Sequence, residues 1–159
     1  MNAATASQTT PQGIHHVTLL VDDAEQAAGF YGDILGLEQK DRPGFNFPGL
    51  FYYCGSQEIH LIVASRRMNK ENLYIEVEGL GELTERHIHR HAALVVADVR
   101  ELERRLVDHG FEVLFSANRI TAGDALAENL VDGWMKMYGA VPVFCCDPFG
   151  NLLEFIPGG

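Results

Sequence analysis

Histidines recur at alternate positions in one stretch of the chain, at His87, His89 and His91. Alternate residues of a β-strand point to the same face, so these imidazoles could form a metal cluster by themselves. The aliphatic run that follows, Ala92–Val96, has a counterpart far upstream, because His16 is also followed by a short aliphatic run. This correspondence favours a site built from repeated strands over a cluster within one strand.

Strand parity then selects the candidate metal ligands. In the first and last strand of each half, one face is expected to carry aliphatic side chains that pack beneath a helix. The opposite faces carry one metal-binding side chain each, at His16, His60, His91 and Glu154. Three imidazoles and one carboxylate suit a divalent first-row metal, and they leave coordination positions for water or substrate. We therefore predict a catalytic metal site at these four residues.

The other histidines are given different roles. His15 is expected on the helix-facing side by parity and is excluded from the ligand set. His87 and His89 share the ligand face but lie further along the strand, as exposed residues or as contacts to a substrate. His109 ends the second predicted helix, where a positively charged imidazolium interacts favourably with the helix dipole. Its role is therefore predicted to be structural.

The two halves of the chain predict the same order of elements. Each half has an acidic N-cap with Gln or Glu three residues later, followed by an apolar helical stripe and a closing glycine. Strands are expected at Ile14–Val21, Leu37–Asp41, Leu50–Cys54 and Glu58–Val63, and again at His91–Val96, Phe111–Phe115, Val141–Cys146 and Leu152–Ile156. The repeated order predicts an α+β fold made of two βαβββ modules by internal duplication.

The predicted domain organisation has one tail and one domain. Residues 1–13 are small and polar, without the features of a signal peptide, and are expected to be a disordered tail. Residues 14–157 are expected to form one domain, with module 1 at about 14–63 and module 2 at about 87–157. A linker at 64–86, with a possible short strand at 73–77, joins them. Module 2 has a lid-like insertion at 117–140 without a counterpart in module 1.

Composition excludes several classes of partner. The chain of 159 residues has a formal net charge of −10, which argues against a nucleic-acid partner because phosphate binding needs clustered Lys and Arg. No apolar run reaches the length of a membrane span. The three cysteines, Cys54, Cys145 and Cys146, are interpreted as reduced core thiols of a cytoplasmic protein.

Four stretches of the sequence resemble the vicinal oxygen chelate superfamily, which includes glyoxalase I, methylmalonyl-CoA epimerase, bleomycin-binding proteins and extradiol dioxygenases. They are GIHHVTLLVDD from Gly13, FYGDILGL from Phe30, HAALVV from His91 and DPFGNLLEF from Asp147. The resemblance implies paired βαβββ modules that form a cupped mixed sheet around a metal, and a homodimer. Its four ligand positions fall on the residues selected by parity. Whether one chain or two build each site stays open.

The resemblance implies several possible chemistries. The expected function is a lyase or isomerase step in which a divalent metal (Ni, Zn, Mn or Fe(II)) chelates neighbouring oxygens of a small substrate, with Glu154 as the base. Resemblance to glyoxalase I would imply a carboxylate at the second ligand position, where this chain has His60 as a ligand or acid/base group. The first alternative is an Fe(II) extradiol-type dioxygenase that uses His16, His91 and Glu154.

The second alternative is a binding protein without catalysis, like the bleomycin-sequestering members of the superfamily. Those members lack the metal ligands, so the four ligand residues argue against this function. In each case the partner is expected to be a small molecule, either anionic or neutral. The arginines that could hold an anionic group are Arg42, Arg66, Arg67, Arg90 and Arg119.

Overall fold

The structure, a computed structural model, describes residues 11, 13–64, 91–119 and 125–158. Several predictions fall on other parts of the chain and lie outside the described residues: most of the tail, nearly all of the linker with its possible strand, His87, His89, Arg66, Arg67 and Arg90. Within the described part, no helix is long and apolar enough to cross a membrane.

The first half of the chain forms one helix and four strands, as predicted. The Asp23 carboxylate accepts a hydrogen bond from the backbone N–H of Gln26 at 2.8 Å and so caps the helix. Gly36 follows the helix with a φ of 74°, a conformation that glycine adopts readily. The elements are β1 (His16–Val21), α1 (Ala24–Ala28) continuing as a π-helical segment (Gly29–Ile34), β2 (Gln39–Lys40), β3 (Gly49–Cys54) and β4 (Gln57–Val63).

The second half repeats this order and adds one helix. Asp98 accepts hydrogen bonds from the backbone N–H groups of Arg100 and Glu101, and Gly110 follows the helix with a φ of 79°. The elements are β5 (His91–Val96), α2 (Val99–Asp108), β6 (Val113–Phe115), a 3₁₀ turn (Ala117–Arg119), α3 (Ala125–Tyr138), β7 (Val143–Cys146) and β8 (Leu152–Pro157). The predicted capping residues are therefore confirmed in both halves.

The two halves also share one sheet topology. Their strand orders are β1-β4-β3-β2 and β5-β8-β7-β6, with the first pair of each sheet parallel and the others antiparallel. Thr18 pairs with His60 in the first sheet, and Ala93 pairs with Glu154 in the second. His60 therefore lies opposite the residue two positions after His16, and Glu154 lies opposite the residue two positions after His91. This confirms the predicted α+β fold of two βαβββ modules.

One hydrophobic core joins the two modules. Its buried residues include Leu61 of β4, Leu106 of α2 and Phe155 of β8. Polar contacts also cross from one module to the other: the Tyr31 hydroxyl donates to Asp147 at 2.8 Å, and the Asn151 amide donates to the Leu20 carbonyl at 2.8 Å. The modules of one chain are thus held together by a shared core, by one buried hydrogen bond and by one part-buried hydrogen bond.

The Tyr31–Asp147 hydrogen bond provides a test of this contact between modules. We expect Tyr31→Phe to lower the free energy of unfolding by about 2 kcal/mol, because it leaves a buried carboxylate without one of its donors. Urea denaturation measures the change. Tyr53→Phe, at an exposed tyrosine, is the matched control and is expected to change stability by less than about 0.5 kcal/mol. Equal stability of the two variants would contradict the proposed role.

The predicted insertion contains helix α3. The Trp134 ring lies 5.0 Å from the Phe115 ring and 5.9 Å from the Phe144 ring, measured between centroids. Phe144 pairs with Glu154 across neighbouring strands, so the two side chains share a face of the second sheet. Helix α3 therefore packs on the same face as the predicted ligand Glu154. Its action as a lid stays a prediction.

Candidate metal centre

The first pair of predicted ligands is formed by His16 of β1 and His60 of β4. Their rings are stacked, with centroids 4.1 Å apart and planes 13° from parallel. The Phe51 ring of β3 stacks on His60 at 3.6 Å, and these two residues are cross-strand partners. His60 therefore lies between two parallel rings, and this packing restricts the plane of its imidazole.

Glu58 is a residue of this site that the ligand prediction missed. One of its carboxylate oxygens lies 2.8 Å from His60 Nε2, and the other contacts Lys40 Nζ. The hydrogen bond with His60, followed by the one with Lys40, lowers the pKa of Glu58 to about 2. Strand parity contained the signal, because residues 58 and 60 of one strand point to the same face.

His15 lies next to His16 rather than among the helix-facing residues. Strand β1 begins only at His16, so strand parity does not determine the direction of the preceding side chain. The Nδ1 atoms of the two histidines are 3.0 Å apart, and the rings are arranged edge to face. His15 is thus a neighbour of a predicted ligand, in contrast to the position expected from parity.

The second pair of predicted ligands is formed by His91 of β5 and Glu154 of β8. His91 Nε2 lies 2.8 Å from Glu154 Oε2. The Glu154 side chain is buried, and this desolvation raises its pKa against the opposing effect of His91. The two pairs of donors therefore differ, since one has two imidazoles and the other an imidazole with a buried carboxylate.

The structure forms each pair but does not join the two pairs within one chain. Among the residues that it describes, no three His, Cys, Asp or Glu side chains are grouped so that they could hold a metal ion. A cavity of about 620 Å³ lies between the modules, with a mainly aliphatic lining that includes Glu58 from one side and His91 from the other. Two protein donors are fewer than the three that catalytic zinc sites have.

The donor set itself fits a divalent metal. Imidazole nitrogens with one carboxylate oxygen are typical ligands for Zn, Ni, Mn and Fe(II). The two pairs have the same register offset in their sheets, so they occupy equivalent positions in the two repeated modules. Together the two pairs offer three imidazoles and one carboxylate, the donors that the sequence predicts for one metal ion.

Comparisons with known proteins identify the family of this chain. The model of the Glyoxalase/Bleomycin resistance protein/Dioxygenase superfamily matches residues 13–155. The chain belongs to this superfamily. No curated protein sequence matches the chain significantly. The glyoxalase superfamily also accounts for the repeated βαβββ modules described above.

Solved structures of similar fold include several members of this superfamily. A glyoxalase family protein from Bacillus anthracis is 24% identical, with a TM-score of 0.63 over 96% of this chain and 100% of that one. Lactoylglutathione lyase from Agrobacterium tumefaciens is 21% identical, with a TM-score of 0.56 over 93% and 95%. The fosfomycin resistance protein FosX from Listeria monocytogenes is 15% identical, with a TM-score of 0.61 over 94% and 96%. At these identities the likeness shows the fold alone.

Of the predicted anion-binding arginines that the structure describes, Arg42 is linked to the first ligand pair through its contact with Phe51. Its guanidinium carbon is 4.7 to 5.6 Å from the centroids of three phenylalanine rings, and Nη2 donates to the Phe47 carbonyl. One of these rings, Phe51, is the ring stacked on His60. Arg119 lies in the 3₁₀ turn that begins the insertion.

His109, Cys54 and Cys145 have surroundings that are typical of structural residues. His109 Nδ1 lies 2.8 Å from the Arg105 carbonyl at the end of α2, in agreement with a capping role. Cys54 and Cys145 form no disulfide bond, and burial raises the pKa of Cys145 to about 12 and also raises that of Cys54. A raised pKa keeps these thiols protonated and unreactive.

Proposed function

We propose that this protein is a metal-dependent lyase or isomerase in which His16, His60, His91 and Glu154 hold one divalent metal. The observation that carries the proposal is the matched pairing of the donors: each module brings two of them into contact at the same register offset. A duplicated half-site of this kind is expected when both halves serve one central ion. The metal would act as a Lewis acid towards neighbouring oxygens of the substrate.

We propose further that Glu154 is the base of the reaction. Its carboxylate is buried, and burial raises its pKa towards the range in which a carboxylate accepts protons efficiently. Glu58 is the less suitable base because its pKa is lowered by His60 and Lys40. Glu154 would take a proton from the carbon next to a substrate oxygen, leave the electron pair on the substrate as an enolate, and return the proton to the neighbouring carbon to complete an isomerisation.

The proposed substrate is a small molecule with two neighbouring oxygens and an anionic group. Two structural relatives support this class, a lactoylglutathione lyase and a fosfomycin resistance protein. One FosX structure contains Mn(II) with a dihydroxypropylphosphonic acid. In this chain, the Arg42 guanidinium lies against the Phe51 ring that stacks on His60, and we propose that it favours such anions.

The second candidate is an Fe(II) dioxygenase. The observation that favours it is the hydrogen bond between His60 and Glu58, because an imidazole paired with a carboxylate could serve as an acid/base group instead of a ligand. If His60 does not bind the metal, His16, His91 and Glu154 remain, and two histidines with one carboxylate are the ligand set of non-haem Fe(II) oxygenases.

Metal analysis after anaerobic purification tests the proposed function. We expect Ni, Zn or Mn to be bound, and no oxygen uptake when catechol-type substrates are added. Iron together with oxygen uptake would establish the dioxygenase instead. A protein that neither contains nor takes up metal would refute both enzymes and favour a small-molecule-binding function.

A further inference from the structure

The carboxylate of Glu58 divides its two oxygens between two partners. Oε2 lies 2.8 Å from His60 Nε2, and Oε1 contacts Lys40 Nζ of the edge strand β2. The side chains of Glu58, Lys40 and His60 are largely shielded, with 13%, 29% and 14% of their surface exposed. Lys40 therefore holds the carboxylate from one side while the carboxylate contacts the imidazole on the other.

This carboxylate is particular to the first module. In β1 and β4, His16 pairs with Glu58, and in β5 and β8 the equivalent partner of His91 is Leu152. The duplication therefore does not require an acidic residue at this position. Lys40 and Phe51 are the neighbouring residues that complete the contacts of Glu58 and His60 in the first module.

The contact determines which nitrogen of His60 carries the proton. An ionised carboxylate only accepts hydrogen bonds, so Nε2 must be the donor in the contact with Glu58. A neutral imidazole has a single N–H group, and the lone pair is therefore on Nδ1. Stacking against Phe51 and His16 restricts the ring plane at the same time.

We propose that Glu58 is a positioning residue that holds His60 in the Nε2–H form, so that Nδ1 is the nitrogen presented to the metal. Carboxylates that accept the second N–H group of a metal-binding histidine fix its tautomer and orientation and strengthen binding. Lys40 neutralises the carboxylate and holds it in place. This inference rests on the proposed function, because it assigns His60 to the metal.

The test compares Glu58→Ala with Glu58→Gln in metal-free protein at a pH where histidine is neutral. Long-range ¹H–¹⁵N correlation spectra of histidine-labelled protein report the tautomer of His60. We expect the Nε2–H form in the wild-type protein and a mixture of tautomers in Glu58→Ala. In Glu58→Gln the single amide oxygen accepts from Lys40, so the NH2 group donates to His60 Nε2, and we expect the tautomer to change to the Nδ1–H form. Zn²⁺ titration should show affinity reduced by about 10- to 100-fold in both variants.

Glu101→Gln is the matched control, because it removes a carboxylate that pairs with Arg104 on the surface of α2. It should leave the tautomer of His60 and the Zn²⁺ affinity unchanged, and circular dichroism should show all variants folded. An unchanged tautomer and unchanged affinity in folded Glu58→Ala would overturn the role of Glu58. Failure of the wild-type protein to bind metal would refute the proposed function instead, and the tautomer in metal-free protein would still decide the contact of Glu58 with His60.

Discussion

His91→Ala is expected to abolish tight metal binding. The substitution removes one imidazole donor and leaves Glu154, a buried carboxylate, without the contact that His91 Nε2 makes with it. Loss of a metal ligand from a site with four protein donors should weaken binding by at least about 100-fold, because the effect should exceed the 10- to 100-fold loss seen when a supporting residue is removed. Metal stoichiometry after dialysis, measured by inductively coupled plasma mass spectrometry, checks the result.

His109→Ala is the matched control for this experiment. It also removes one imidazole, but His109 is exposed and contacts the backbone at the end of α2. The control should retain the metal stoichiometry of the wild-type protein. Full stoichiometry in the His91→Ala variant would exclude His91 as a ligand and with it the proposed four-donor site.

The second prediction concerns how the two ligand pairs meet. Among the described residues of one chain, no three donor side chains lie close enough together to hold a metal ion. We therefore expect each metal to be held by the first pair of one protomer and the second pair of its partner. One variant, His16→Ala with His60→Ala, loses the first pair, and another, His91→Ala with Glu154→Ala, loses the second. Each homodimer should then bind no metal. In a two-fold symmetric heterodimer of the two variants, one of the two sites is complete.

Co-expression with two different affinity tags allows the heterodimer to be purified. We expect the heterodimer to bind half as much metal per dimer as the wild-type protein. The two homodimers should bind none, so any metal in the heterodimer distinguishes it from them. The control is a dimer purified with the same two tags in which both protomers lack the first pair. This dimer should contain no metal. A metal-free mixed heterodimer would place all four donors within one chain, around the cavity between Glu58 and His91.

Helix α3 illustrates where sequence patterns were incomplete. Residues 117–140 were predicted as an insertion without a counterpart, yet Ala125–Tyr138 form a helix. One of its aromatic residues, Trp134, packs against Phe115 and Phe144, which come from two strands of the second sheet. A helix whose apolar partners lie in distant strands depends on tertiary packing, and so its place on the ligand face was not predictable from local periodicity.

By itself, the sequence determined which side chains share a face. The alternation of strand residues and the repeated capping signals are local properties, and they correctly predicted two βαβββ modules with His16 and His60 in one and His91 and Glu154 in the other. Only the tertiary structure decided the partners of these side chains. Contacts such as that between Lys40 and Glu58 depend on strand pairing and register, which bring together residues distant in the chain.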